Sequence, residues 1–382
     1  MSKLKGVSLF ANVGIAETYL KEVGIDIVVA NELLEQRANF YRHLYPTTDM
    51  IVGDITKEDT FNTIVKKCTD QKADFLIATP PCQGMSLAGK MDNADPRNSL
   101  IYYAVKAIKA IKPKYVLIEN VPQQLKTTVL YNGNMIPIPQ YLREELCSEY
   151  NFAKSSLICA KDFDVPQMRK RNITLLSRKD MPYVWELPSE PHKEITLKEA
   201  IGDLPPLDPM LREGIDETLR IFPDFNKKRE EALKVSKWHY PPTHSKKHIL
   251  NLIHTPSGCS AIENKIYYPK KDNGQRVNGH YNTYRRFDWN KPARTITQNS
   301  GVISSLCCVH PGREIFDDGN ENTRIYSDPR CLSIYELLIV TSLPKNWNIP
   351  DWADERLIRS VIGEGIPPML IKNIALELTK NI

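Results

Sequence analysis

Phe75-Leu76-Ile77-Ala78-Thr79-Pro80-Pro81-Cys82-Gln83-Gly84-Met85-Ser86 is the stretch on which the reading of this chain turns. Its first four residues form an apolar run of strand length, bounded by turn residues. Two prolines then fix the backbone just before Cys82, and a polar loop rich in Gly, Ser, Lys, Asp and Asn continues from Gln83 to Asn98. A thiol is therefore expected at the end of a strand. Working outward, further strands are expected over Gly6–Phe10, Ile25–Ala30, Tyr115–Ile118, Ser155–Ala160 and Ile173–Leu176. Between them lie helical patterns over Ala16–Val23, Glu35–His43, Glu58–Cys68, Asn98–Ile111 and Tyr141–Glu149. In Asn98–Ile111 the apolar residues recur at 101, 104, 105, 108 and 111, one face of a helix, and Pro113 ends it. This alternation predicts an α/β fold, a mostly parallel sheet with helices on both faces. Ligands of such sheets bind beyond the carboxyl ends of the strands.

The alternation stops after Arg178. Residues 181–245 are rich in proline and charge, with Pro-Pro at 205–206 and 241–242 and a helix-like run over Asn226–Lys237. Residues 246–325 mix aromatics, Lys/Arg, Asn and Gly in short segments, which predicts irregular β structure. Helical patterns return at Ser333–Thr341, Glu355–Ile362 and Met369–Lys380. The expected division is a catalytic and ligand-binding domain over 1–184, a smaller, irregular β-rich domain over 185–324, and a segment over 325–382 that completes the first. The 382 residues carry 51 Lys+Arg against 46 Asp+Glu, a net charge of only +5. Residues 225–300 hold 15 Lys+Arg against 5 Asp+Glu, so a basic module sits within a mildly acidic remainder. A basic module of that kind suits a polyanion.

A hydrophobic fraction of 41% supports a core and excludes disorder as a description of the whole. No run approaches the roughly 18 apolar residues of a membrane span, and Met1-Ser2-Lys3-Leu4-Lys5 leads into a strand rather than a signal peptide. Eight cysteines without a C-x-x-C pair read as reduced thiols in a cytoplasm-like compartment, with no metal site expected. Cys307-Cys308 read as strand residues.

Three turns and one extended stretch carry polar groups to the strand ends. Leu9-Phe10-Ala11-Asn12-Val13-Gly14-Ile15 reads as a ligand loop or as a plain strand-to-helix turn. Glu32, 18 residues after Gly14, can accept a ribose diol, and Asp54 in Gly53-Asp54-Ile55 can hold a base amino group; both also read as helix caps. Cys82 reads as an activated nucleophile or as an inert thiol. Ile118-Glu119-Asn120-Val121-Pro122 supplies an acid after the next strand. In Val165-Pro166-Gln167-Met168-Arg169-Lys170-Arg171, an extended backbone would point Arg169 and Arg171 to one side, toward a carboxylate, a phosphate or a base edge.

In this order and spacing the chain resembles the DNA (cytosine-5) methyltransferases of bacterial restriction–modification systems. Phe10 to Gly14 resembles the cofactor loop, Pro80-Pro81-Cys82-Gln83 the nucleophile motif, Glu119-Asn120-Val121 the acid motif and Gln167-Met168-Arg169-Lys170-Arg171 the paired-arginine motif. Tyr284 to Trp289, Lys291 to Thr297, Arg330 to Pro344 and Gly363-Glu364-Gly365-Ile366-Pro367-Pro368 resemble the later motifs. Asn12 and Ile15 stand where the F-x-G-x-G-G pattern has glycines, and Glu364 and Gly365 where an Asn and a small polar residue are usual.

The resemblance implies an S-adenosylmethionine-dependent, Rossmann-like methyltransferase fold with a target-recognition domain. It implies attack of Cys82 on C6 of a flipped-out cytosine, Glu119 at N3, Arg171 orienting the base carbonyl and favouring the thiolate, and Arg169 in support. For S-adenosylmethionine, and the product S-adenosylhomocysteine, it assigns Phe10 and Leu33 to the adenine, Glu32 to the ribose, and Asp54 with Ile55 to the adenine edge. Asn12, Gly14, Ile15 and Pro80 complete the cofactor site, with Asn12, Ile15, Glu364 and Gly365 bearing on the methionine end.

For duplex DNA it assigns Ser86, Lys90 and Arg97 of the loop, and Arg285, Arg286 and Arg294. The expected recognition surface also takes in Trp238-His239-Tyr240, His244 to His248 and Tyr267-Tyr268. A separately acting restriction endonuclease, a monomeric state and the cytoplasm of a bacterium or archaeon, beside its nucleoid, belong to the same expectation. An amino-methyltransferase would place an aromatic residue after Pro-Pro, where this chain has Cys82. An RNA substrate, or a silent DNA-binding relative, is the remaining alternative.

Overall fold

The computed structural model describes residues 4–81, 99–317, 319 and 323–382; Cys82, Ser86, Lys90 and Arg97 lie outside the described residues. Strands β1 (Leu4–Leu9), β2 (Ile25–Glu32), β3 (Asp49–Val52), β4 (Phe75–Ala78) and β5 (Tyr115–Asn120) pair in parallel in the order β3-β2-β1-β4-β5. Helices α1 (Glu35–Leu44), α2 (Glu58–Gln71) and α3 (Leu100–Ile111) connect them. A hairpin of β6 (Thr128–Tyr131) and β7 (Asn134–Pro137) and helix α4 (Ile138–Leu146) follow, then β8 (Tyr150–Phe152), β9 (Leu157–Cys159), β10 (Gln167–Met168) and β11 (Lys170–Arg178). β11 lies antiparallel beside β5, and β8 and β9 pair with its other edge.

The sheet forms because alternate residues of its strands bury on opposite faces. Leu76, Ala78, Val116 and Ile118 pack with Phe61, Ile64, Val105, Ile108 and Leu142 on one face. Phe75, Ile77, Tyr115, Leu117, Ile173 and Leu175 pack on the other with Trp185, Ile371, Ile374 and Ala375. Each fully buried side chain of this size contributes about 1.5–3 kcal/mol.

Three expectations are corrected. The region over 185–324 is irregular but not β-rich: it holds helices at Leu197–Ile201, Ile215–Ile221, Phe225–Val235 and Lys246–Ile253, and the strands described in it are two or three residues long. Ala16–Val23 is not an α-helix: three-residue turns run through it, ending in a 3-10 turn at Lys21–Val23 with Gly24 at φ +87°. The bonds Thr18 N–H to Ile15 O and Leu20 N–H to Glu17 O wind the chain more tightly than an α-helix. Cys307 and Cys308 do not lie in a strand; isolated bridges flank them and Cys307 has φ +37°. β3 was not anticipated, being a four-residue edge strand that is only half-buried.

Beyond β11 come α5 (Leu197–Ile201), β12 (Met210–Leu211), α6 (Ile215–Ile221), α7 (Phe225–Val235), β13 (Thr243–His244), α8 (Lys246–Ile253), β14 (Ala293–Arg294), β15 (Glu314–Phe316), β16 (Ile325–Tyr326), α9 (Ile334–Val340), α10 (Glu355–Glu364) and α11 (Pro368–Thr379). A small cluster of Leu211, Ile249, Leu252, Ala261, Tyr284, Ile303 and Val309 centres this part. A larger one joins Val13, Ile15 and Phe40 to Leu197, Ile296, Ile334, Leu338, Ile358 and Ile362. At the junction the buried Arg330 grips Glu336 at 2.7 and 2.9 Å and Asp328 at 2.8 Å. Burial alone would raise the Glu336 carboxyl, but Arg330, and then His310, hold it down at about 2. Among the described residues no helix is long and apolar enough to cross a membrane.

Candidate active site

Leu9, Ala78 and Ile118 lie in one register across β1, β4 and β5, so the turns that follow these strands emerge side by side. Side chains tie them together. The Thr79 hydroxyl donates to the Phe10 carbonyl at 3.0 Å. The Asn120 side-chain amide donates to the Pro80 carbonyl at 3.1 Å, and its oxygen accepts from the Val121 N–H at 2.9 Å. Asn120 thus fastens the Pro-Pro turn to the strand that bears Glu119, a role its place in the sequence did not announce.

Glu119 faces Ile173 in the β5–β11 register. Arg171, two residues nearer the start of β11, brings Nε within 2.6 Å of Glu119 Oε1, with both side chains largely buried. Its Nη1 donates to the Lys170 carbonyl at 2.7 Å, which holds the guanidinium in place. The acid and the arginine therefore meet at the mouth of the Pro80-Pro81 turn. The alternation expected of the two arginines does not hold. Arg169 lies between β10 and β11 and is buried, donating to Ile296 O at 2.9 Å, Gly363 O at 3.0 Å and Glu364 O at 3.1 Å. It braces the closing segment of the chain.

The neighbouring strand ends form a second cleft. Phe10, Asn12 and Gly14 have φ of +59°, +51° and +81°, a tight turn in which Gly14 N–H donates to Ala11 O. Gly14 is obligatory: an added Cβ would lie 2.3 Å from the Tyr45 ring. Glu32 accepts the Asn12 N–H at 2.8 Å and the Leu34 N–H at 3.0 Å. Beside it Leu33 is 59% exposed, an apolar side chain left open at the cleft. Asp54 accepts the Thr56 N–H at 2.9 Å, while Ile55 is buried in the core. Asn12 Oδ1 is buried without a hydrogen-bond partner. Two strand-end carboxylates, an open apolar residue and an unsatisfied amide oxygen fit a methyl donor with a polar, base-bearing body.

Of the arginines expected on DNA, Arg286 is corrected: it is 1% exposed and donates to the carbonyls of His310, Asp328, Leu252 and Ser327. A guanidinium so enclosed holds loops together. Arg285 is half-buried, over the Tyr281 ring and 3.6 Å from Glu263, and Arg294 donates to Asn282 Oδ1 at 2.6 Å. Trp238, His239 and Tyr240 also turn inward; His239 lies between Ser333 Oγ and Pro205 O, and His244 accepts the Cys331 N–H. The outward ridge is formed by Tyr281, by the stacked His254 and Tyr267, and by Lys270 and Arg276 over the Tyr268 ring. Sequence reading also passed over Arg37, which reaches Glu364 across 327 residues with no spacing to signal it.

A model of the C-5 cytosine-specific DNA methylase family matches residues 4–380. The Type II methyltransferase M1.HgaI of Avibacterium volantium is 42% identical over 380 residues, 98% of each chain. The Type II methyltransferase M1.HphI of Haemophilus parahaemolyticus is 24% identical over 378 residues, 98% of this chain and 86% of that protein. Among solved structures, a putative DNA modification methyltransferase encoded within a prophage of E. coli superposes with a TM-score of 0.65 at 19% identity, covering 99% of each chain. A DNMT2 mutant of Spodoptera frugiperda gives 0.60 at 16% identity, again over 99% of each, and shares the fold. Matched from end to end and with its acid and arginine in contact, the chain belongs to the C-5 cytosine-specific DNA methylase family.

Proposed function

We propose that this protein methylates C5 of a cytosine flipped out of a specific duplex DNA sequence, with S-adenosylmethionine as donor and S-adenosylhomocysteine as product. The observation that carries the reading is the Glu119–Arg171 contact at 2.6 Å beside a Pro-Pro turn anchored by Asn120. C5 of cytosine is too weakly nucleophilic to take a methyl group unaided. Cys82 forms a bond to C6, and the ring electrons pass to C5 and N3. Glu119 shares its proton with N3, and Arg171, tethered to Glu119, offers its remaining N–H groups to the base carbonyl and favours the thiolate. The donor supplies the methyl group that C5 takes. The C5 proton then leaves, and the C6–sulfur bond breaks to free Cys82.

Glu32 serves the ribose, Asp54 and the Ile55 backbone the adenine edge, and Leu33 with Phe10 the adenine faces. The hydrogen-bonded turn at Asn12–Gly14, with Ile15 and Pro80, borders the methionine end. Arg169 acts through the backbone at Gly363 and Glu364. The loop bearing Ser86, Lys90 and Arg97 is assigned to the flipped base and its phosphates. Recognition belongs to the basic region within 185–324, through Arg285, Arg294 and the ridge of Tyr281, Lys270 and Arg276. The protein acts as a monomer in the cytoplasm, alongside an endonuclease that cuts separately.

Incubation with a 5-fluorocytosine duplex and S-adenosylmethionine tests the reading, because fluorine at C5 blocks release of the enzyme. Wild type should form an adduct that survives denaturation and Cys82→Ala should not. Equal behaviour of the two proteins would overturn the nucleophile assignment.

A further inference from the structure

We infer that Arg37 and Glu364 are positioning residues for the methyl donor, and that the loop over 12–15 and the closing turn at 363–365 are matched through one polar and one apolar contact. The inference rests on the proposal that this cleft holds S-adenosylmethionine.

Glu364 ends α10, and Arg37 lies in the first turns of α1. Their contact is two-pronged: Arg37 Nη1 lies 2.7 Å from Glu364 Oε2, and Nη2 donates to Oε1 at 2.9 Å. Each side chain is only 19% exposed, so the fork is shielded from solvent and differs from an ordinary surface ion pair. The same Oε2 accepts from the Asn12 side-chain amide at 3.3 Å. Asn12 holds a left-handed backbone, and its N–H is fixed by Glu32. One residue therefore couples the acid assigned to the ribose with the acid on α10. Arg37 neutralises a second carboxylate that would otherwise face the cleft unpaired.

The apolar contact lies one residue along. A Cβ on Gly365 would meet Ile15 at 2.7, 3.0 and 3.1 Å, so the buried Ile15 occupies the space that a side chain there would need. The turn is pinned from behind as well. A Cβ on Gly363 would strike the backbone of Thr297 and Gln298 at 2.3 and 2.4 Å, and Arg169 holds the carbonyls of Gly363 and Glu364. Asn12, Ile15, Glu364 and Gly365 are the four positions where the sequence departs from the pattern it resembles. In the folded chain they touch pairwise, Asn12 with Glu364 and Ile15 with Gly365. The substitutions are mutually compensating, and Arg37 is the cation that the polar contact requires.

The test uses the full chain, with S-adenosylhomocysteine as probe in calorimetry and steady-state methylation of duplex DNA. Arg37→Met and Glu364→Gln should each weaken the probe about tenfold and raise the donor KM to match, with kcat at saturating donor and DNA affinity near wild type. The double variant should be no worse than either single one, since both remove the same contact. Arg37→Lys, which keeps the charge without the fork, should fall between. Gly365→Ala should weaken donor binding, and Ile15→Ala in the same chain should restore it. If wild type fails to bind the probe, the donor assignment itself fails and the inference with it. If wild type binds and the variants bind equally, the inference alone is overturned. Parallel loss of kcat, DNA affinity and thermal stability would make the contact merely structural and would also overturn it.

Discussion

Glu17 shows how far a single residue can depart from what its type suggests. It follows the turn at Asn12–Gly14, and burial, only partly offset by the Ser8 hydroxyl, pushes its carboxyl up to about 7. The folded protein thus favours the neutral acid. That preference is intact below the ordinary carboxylate range and is lost as pH rises through about 7. Glu17→Gln stays neutral, so urea denaturation should find it close to wild type near pH 4 but more stable at about pH 8.5, by up to about 3 kcal/mol. No difference at the higher pH would mean that the folded protein tolerates the charge. What depends on neighbours in sequence was legible: the Pro-Pro turn that ends β4, and an acid near the end of the next strand, though Glu119 lies within β5 and not after it. Arg286 and Glu17 were not, because charge alone does not say whether a side chain faces water. The enclosure of Arg286 comes from carbonyls of four residues scattered from Leu252 to Asp328.

β11 is the element on which the contact of Glu119 with Arg171 depends. Because it runs against β5, its first residues lie at the carboxyl end of β5, and Arg171 can meet Glu119. A parallel strand would carry the arginine to the far edge of the sheet. The second tie at this edge is Asn120. Asn120→Ala leaves the Pro80 carbonyl and the Val121 N–H without it, at a cost of about 1–3 kcal/mol for each buried group left unpaired. Turnover should fall at least tenfold while binding of S-adenosylhomocysteine stays within a few-fold; a fall in binding alone would place the role of Asn120 in the donor cleft. The β4 strand was read to its buried end at Ala78 because prolines follow it. β2 runs two residues further than its apolar pattern, since Asn31 and Glu32 pair with Ile51 and Val52 of a strand whose apolar run is only three residues long. Ala16–Val23 has helical spacing, yet tertiary contacts of Ile15 and Glu17 wind it into tighter turns.

At the scale of the whole molecule, the charge distribution read along the sequence survives folding as an outward ridge that includes Lys270 and Arg276. Affinity for duplex DNA should fall steeply as salt rises. Lys271→Ala, at an exposed position of this ridge, should lower affinity for all sequences alike and reduce the log–log salt slope by about 1. A wild-type slope near zero would remove phosphate contact from the module. The basic character of residues 225–300 was legible from composition. The cluster that joins Val13 and Ile15 to Ile296, Ile334 and Ile362 was not, because no local pattern links segments more than 280 residues apart. That same long reach sets a schedule for synthesis. A nascent chain carries its thiol, its acid, both arginines and its basic module before Gly363 to Gly365 have been translated. The loop over 12–15 therefore waits for the turn at Gly363 to Gly365 that packs against it. The sheet face that Ile371, Ile374 and Ala375 cover likewise stays open until α11 has been made, so a polypeptide cut short before that helix lacks part of its core.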